Sequence, residues 1–245
     1  MTIAGFAALD ASHPEYIPAY KGKNLYLANM AAVDHQIVRG ISAAATIAAI
    51  VYCHKQRREF TPPEPDLSYI ENVLLMMGHV DGDTRRPNPK CVSYLERLWV
   101  LMADHEMTHS TAAFLHTASS LNDPFINLIS ATAASWGILH GGALEVAYKQ
   151  FQRVGSVHAV QEMIDSVKLG KERLYGYGHR IYKVTDPRYH CIHEMLTELV
   201  ADAEHDPILE VALEIDRVAS TDEYFTSRKL KANADLLASF VYKAL

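Results

Sequence analysis

The sequence predicts an all-α fold. Three observations carry this reading. Apolar residues recur at spacings of three and four, as in Leu67, Ile70, Val73, Leu74 and Met77, or Val157, Val160, Met163, Ile164 and Val167. Helix-start chemistry precedes several of these runs, clearest in Asn122-Asp123-Pro124, with Asp123 as N-cap and Pro124 at the first helical position. No stretch alternates with a period of two, no hairpin signal joins two such stretches, and no repeat is visible.

Taken in order, residues 1–23 are mixed, with Pro14, Pro18 and Gly22 as breakers. Asn24 to Lys55 reads as helix, with Gly40 expected to mark a break. Thr61-Pro62-Pro63-Glu64-Pro65 is a rigid connector, after which Asp66 is the expected cap of a helix reaching Met77. Gly78 to Pro89 is a polar loop, and Tyr94 to Met102 is apolar at helical spacing. A small-residue helix is expected over Thr111 to Ser120, then one from Pro124 ending near His140. Further helices follow over Ala143 to Arg153, stopped by Gly155, and after the cap Ser156. Tyr189 to Asp202, Ile208 to Ala219 and a last short run after Asp235 complete the chain.

Composition narrows the class. With 49% hydrophobic and 21% charged residues, 245 residues suffice for a buried core in one large or two small domains. A formal charge of −6 argues against sequence-independent nucleic-acid binding. The three cysteines are widely spaced and odd in number, so no disulfide framework follows and a reducing, intracellular compartment is expected. No secretory or transit signal is read at the N-terminus, and Lys243-Ala244-Leu245 is not a peroxisomal address. The longest near-apolar run, Ile41 to Cys53, is short for a membrane span, so a soluble protein is expected.

Four places carry chemistry. In Tyr175-Gly176-Tyr177-Gly178-His179-Arg180 two glycines bracket an aromatic residue and deliver a histidine, and Asp186-Pro187-Arg188 follows. Lys168, Lys171, Arg173, Arg180 and Lys183 make this segment basic within an acidic chain, which suits a phosphate or carboxylate ligand; a glycine cap with a solvated face would look the same. His140 precedes a helix whose dipole would disfavour imidazolium, suiting it to donate to a developing oxyanion; otherwise it fills a helix corner. Asp235 reads as an N-cap or as a partly desolvated base for a carbon-bound proton. His105-Glu106-Met107-Thr108-His109 has the spacing of a helical zinc site, for which Glu145 and Asp165 are the downstream carboxylates, or is simply a polar helix start.

Together these pieces resemble the citrate synthase family over nearly the whole chain. The order carries the resemblance: Asp104-His105-Glu106, Ser120-Leu121-Asn122-Asp123-Pro124, Leu139-His140-Gly141-Gly142-Ala143, Gly176-Tyr177-Gly178-His179 with Asp186-Pro187-Arg188, then Lys229-Leu230, Asn233 and Asp235. The resemblance implies an all-α, two-domain homodimer that condenses an acyl-CoA with oxaloacetate and hydrolyses the thioester, giving citrate or an alkylcitrate. It implies Asp235 as base, His140 as holder of the enol oxygen and His179 as electrophile to the ketone. His105 and Arg188 would bind oxaloacetate, while Gly176, Tyr177, Gly178 and Lys183 would lie along coenzyme A. Acyl-CoA would be a co-substrate; no permanent cofactor, metal, nucleic acid or membrane is implied. The expected domains are 1–141, a partial large dimerisation domain, and 142–245, a small catalytic domain. Leu144 and Ile138 depart from the family's usual asparagine and proline. The chain also reads as shortened at both ends, without two further carboxylate-binding arginines. An impaired, binding-only relative is therefore the competing expectation, and a zinc hydrolase through His105 and His109 a third.

Overall fold

Twelve α-helices and two 3-10 turns form among the residues described by a computed structural model, 1–12, 30–103, 106–200 and 206–245. The chain divides into two compact units. The first comprises Met1–Ser93 and Asp104–His140, the second Tyr94–Ala103 and Gly141–Leu245. The only pairing of extended backbone among the described residues is one isolated bridge, between Tyr177 and Ala232.

The first unit holds α1 (Thr2–Ser12), α2 (Met30–Gln56), α3 (Tyr69–Met76), α5 (His109–Ala118) and α6 (Pro124–Ser135). α4 (Pro89–Ala103) begins in this unit, and its residues from Tyr94 onward belong to the second. Asp123 caps α6 as its Asp-Pro start demands, accepting from the N–H groups of Phe125 at 2.9 Å and Ile126 at 3.1 Å. Phe125 is fully buried beneath the Arg39 guanidinium, which lies 5.3 Å from its ring centre.

Several details differ from the sequence expectation. α1 forms where residues 1–23 read as mixed, because its small and apolar residues find α2 and α6 to pack on. Gly40 does not break α2. It lies buried in the middle of the helix, where a Cβ would come within 2.9 Å of Leu128 Cδ1 on α6, so its role is close helix approach. α3 is capped by Ser68, not Asp66. Ser68 Oγ accepts from Glu71 N, and the Glu71 carboxylate accepts from Ser68 N, a reciprocal pair that Asp66 lacks the spacing to make.

By length and composition α2 could cross a membrane. Its Val33, Gln36, Gly40, Ala45, Ala49 and Cys53 are buried, and it packs on α1, α3 and α6. Its Ile37, Val38, Ile41 and Ile50 are exposed, as are Trp136, Ile138 and Leu139 after α6.

The second unit holds α7 (Gly142–Val154), α8 (Val160–Lys168), α9 (Pro187–Val200), α10 (Pro207–Ala219), α11 (Glu223–Ser227) and α12 (Ala238–Ala244). Gly155 ends α7 in the left-handed conformation, and Ser156 opens the 3-10 turn leading into α8, both as the sequence indicates. The core runs through Leu98, Phe151, Ile164, Ile192, Met195, Ile215 and Leu236, all fully buried. Asp235 does not cap the last helix. It sits in a 3-10 turn, Ala234–Leu236, capped by Asn233, and α12 starts without a side-chain cap.

Asp123→Ala leaves two N–H groups near the buried start of α6 without their acceptor. The first unit is expected to lose about 1–2 kcal/mol, measured by urea unfolding followed at the α-helical circular dichroism signal.

Candidate active site

The glycine turn and the segment before α12 are stitched together by main-chain bonds. Gly178 N donates to Lys231 O at 2.7 Å, Asn233 N to Gly176 O at 2.9 Å, and Asn233 Nδ2 to Gly178 O at 2.7 Å. Both glycines are required. Gly176 and Gly178 have φ of +83° and +79°, and a Cβ on Gly176 would lie 2.9 Å from Leu236 Cα. The turn therefore delivers His179 beside the strand-like segment that carries Asp235.

Asp186 fixes the other side. Its N donates to Ala232 O at 3.0 Å, and its fully buried carboxylate accepts from Ala234 N at 3.3 Å and Arg188 N at 3.0 Å. The same carboxylate takes the Arg188 guanidinium side-on, Nη2 at 2.6 Å and Nε at 3.0 Å. Burial pushes Asp186 up, but the bonds from Arg188 and Ala234 more than offset this and hold it below the usual carboxylate range. Arg188 thus enters the site with one edge on Asp186, while Nη1 lies 3.5 Å from Met102 Sδ.

Asp235 stands next in the turn. Its N donates to Asn233 Oδ1 at 2.9 Å. Burial pushes its carboxyl up to about 6, with Arg188 pulling down and Asp186 adding to the rise. A carboxylate held near neutrality is a stronger base than an exposed one and is still ionised at neutral pH.

The two histidines read as catalytic are each poised, within their own unit, by backbone donors. His179 Nδ1 accepts from Ile181 N at 3.2 Å and Tyr182 N at 3.3 Å, which leaves the ring proton on Nε2; the ring stacks on Tyr182 at 4.8 Å. In the first unit, His140 Nε2 accepts from Ser110 N at 3.3 Å and lies 2.8 Å from Ser110 Oγ, which leaves its proton on Nδ1. Burial and the neighbouring His109 lower the His140 pKa.

The remaining predicted residues separate. His105 lies outside the described residues. Lys183 is exposed near the glycine turn. Tyr177, read with its glycines as lining coenzyme A, instead puts its ring into the core at 4% exposure. Its hydroxyl bonds Asp216, which Tyr189 shares, and Gly176 beside it is buried as well. The zinc spacing fails on geometry. Glu106 has φ +57° and Thr108 is an extended N-cap, so the residues leading into His109 are not in the helical conformation that the zinc reading requires. Sequence reasoning missed Asp186, Asn233 and Ser110 as organisers; the Asp-Pro start of α9 was the available signal for the first. It also missed a cavity of about 340 Å³ beside the turn, lined by Lys149, Arg153 and Arg173 with Glu172, Gln150 and Tyr175; Arg153 pairs with Glu172, and Lys149 with Glu145.

Comparison with known proteins accounts for this arrangement. The family profile for the citrate synthase C-terminal domain matches residues 1–245. The chain belongs to the citrate synthase family. The citrate synthase-like protein oryE of Aspergillus oryzae is 57% identical over 245 residues, covering 100% of this chain and 55% of that protein. The alkylcitrate synthase phiJ of a fungal species is 40% identical over 244 residues, covering 100% of this chain and 53% of that protein. Among solved structures, the citrate synthase of Thermoplasma acidophilum, described as a ternary complex with carboxymethyl coenzyme A and oxaloacetate, superposes with a TM-score of 0.82 at 28% identity. That match covers 100% of this chain and 60% of the archaeal one. The chain spans about half the length of these curated relatives.

Two substitutions separate frame from base. Asp186→Asn breaks a buried pair and should cost about 3–5 kcal/mol. Since the folded state keeps Asp186 ionised below the ordinary value, its contribution is intact above pH ~4 and lost as pH falls through its lower folded value. Asp235→Asn has the opposite sign. The folded state prefers the protonated acid, so ionising Asp235 costs stability as pH rises from about 4 to 6. The variant should be more stable than the parent above about pH 6 and indistinguishable from it in acid. Denaturant unfolding at pH 4 and pH 8 checks both.

Proposed function

We propose that this chain carries the catalytic groups of an acyl-CoA:oxaloacetate condensing enzyme. The observation that carries the reading is Asp235: a carboxyl raised to about 6 in a turn held by Asn233 and Asp186, with Arg188 and His179 on the segments bonded to it. In this reading Asp235 takes the proton from the carbon next to the thioester carbonyl. The oxygen of the resulting enol is held by His140 Nδ1–H. The enol carbon attacks the ketone carbon of oxaloacetate. As that carbon–carbon bond forms, the carbonyl pair moves to oxygen, which His179 Nε2–H meets and protonates. Water then cleaves the thioester, releasing the thiol and a carboxylate. The outer edge of Arg188, with His105, receives an oxaloacetate carboxylate. The half-buried end of the glycine turn at Gly178, the exposed Lys183 and the cavity at Arg173 suit the phosphates of coenzyme A.

Residues 1–141 act in this reading as the larger, dimerising part and 142–245 as the smaller catalytic part. The exposed apolar side chains of α2 and of Trp136 to Leu139 support burial in a homodimer or against further chain. The unpaired cysteines suit a reducing, intracellular setting. A second reading is substrate binding without turnover.

Thiol release with oxaloacetate and acetyl-, propionyl- or a longer acyl-CoA tests the proposal. Turnover is expected to vanish in Asp235→Ala, by on the order of 10²–10⁴-fold. In the parent, kcat should rise with pH around a midpoint near 6, as Asp235 ionises. Folded protein that binds an acyl-CoA but releases no thiol supports the second reading.

A further inference from the structure

We propose that Asp216 is a positioning residue that fixes His179 and Arg188 relative to one another from behind the site. Its carboxylate accepts the hydroxyls of two tyrosines, Tyr177 on Oδ1 and Tyr189 on Oδ2. Each tyrosine sits beside a residue of the site. Tyr177 lies two residues before His179, between the glycines of the turn, and Tyr189 directly follows Arg188 at the start of α9. Both rings are buried in the core of the second unit. Asp216 itself stands on α10, which packs on α7 and α8.

The other bonds of the site do not reach α10. Gly176 and Gly178 bond the segment around Ala232, and Asp186 bonds Arg188 and that same segment. Apolar packing beneath them, such as Tyr177 edge-on to Phe225 at 5.7 Å, is not directional. The two tyrosine hydroxyls give both site segments a directional hold on one point of the helical scaffold. The Tyr177 hydroxyl also lies 3.2 Å from the Asp216 carbonyl oxygen.

A carboxylate suits this task. It has two acceptor oxygens, so both hydroxyls donate to it at once. An amide in its place has one oxygen and one NH2 group, and would force one tyrosine to turn its hydroxyl round. Burial, with Asp216 adding to it, pushes both phenols above the ordinary tyrosine range, so each remains a donor well above neutral pH. The consequence for catalysis rests on the roles proposed for His179 and Arg188; the tie itself does not. In oxaloacetate the ketone and the carboxylates are one or two carbon–carbon bonds apart. A group on the ketone and a group on a carboxylate must therefore keep a fixed separation, and a loose frame loses that orientation.

The test is NMR of the His179 ring nitrogens and the Arg188 Nε–H in the full chain. His179 is assigned among its 13 histidines by the signal lost in His179→Gln, and the arginine by that lost in Arg188→Lys. Tyr177→Phe, which removes only the hydroxyl, should move the His179 signals toward those of a free imidazole exchanging its proton between both nitrogens. Tyr189→Phe should speed solvent exchange of the Arg188 Nε–H. Asp216→Asn should do both, and the two phenylalanine variants carry the test if it does not fold. Ile164→Val, a loss of core packing on α8, is the control for lowered stability and should do neither. Parental signals in every folded variant, or equal movement in Ile164→Val, overturn the proposal and leave Asp216 a stability residue only. Neither signal needs substrate, so an inactive chain does not decide the outcome. Where thiol release is measurable, Tyr177→Phe should lower kcat and Tyr189→Phe should raise KM for oxaloacetate, each by up to about 100-fold. Tyr177→Phe combined with Asp216→Asn should lose no more kcat than Asp216→Asn alone; additive losses count against the tie.

Discussion

One buried carboxylate organises the second unit. Asp186 has no exposed surface, yet it accepts from the start of α9, from the Arg188 side chain and from the backbone two residues past Ala232. A buried ion pair is weak evidence for net stability, because desolvation offsets most of the attraction. What this pair contributes is placement. It joins a helix start, an arginine and the turn holding Asp235 in one geometry, and any shift of one moves the others. The neighbouring Asn233, which caps the 3-10 turn and ties it to Gly178, does the same from the other side.

The site also shows stability given up for reactivity. Asp186 and Asp235 lie in the same low-dielectric surroundings. One has direct donors and stays ionised; the other has burial without such donors and is pushed toward neutrality. The difference between a structural carboxylate and a base is thus set by hydrogen bonds rather than residue type. The histidines follow a parallel rule. In each, backbone N–H groups occupy one ring nitrogen and so fix which nitrogen can donate.

Local chemistry made much of the fold legible. The Asp123-Pro124 start, the Gly155 stop and the Ser156 cap each involve residues within a few positions, so they stand in the sequence as they stand in the structure. Gly40 was misread because a helical glycine looks like a breaker until Leu128 is seen against it. Asp66 and Ser68 are both capping residues; only the spacing to Glu71 separates them, and that reciprocal bond was overlooked. Asp235 looked like a cap because the cap lies two residues earlier.

The sequence by itself determined the helical class and the order of the motifs, and through that order the citrate synthase family. Periodicity and capping act over one or two turns, and motif order survives without any coordinates. Only the tertiary structure decided what those residues do. It turned Tyr177 inward to Asp216 and put the Glu106 turn outside the helical conformation a zinc face requires. It raised Asp235 by burial and set the ring protons of His140 and His179. These outcomes depend on dielectric and on donors from segments distant in the chain, such as Ala234 to Asp186 or Ser110 to His140. Residue spacing carries no record of either.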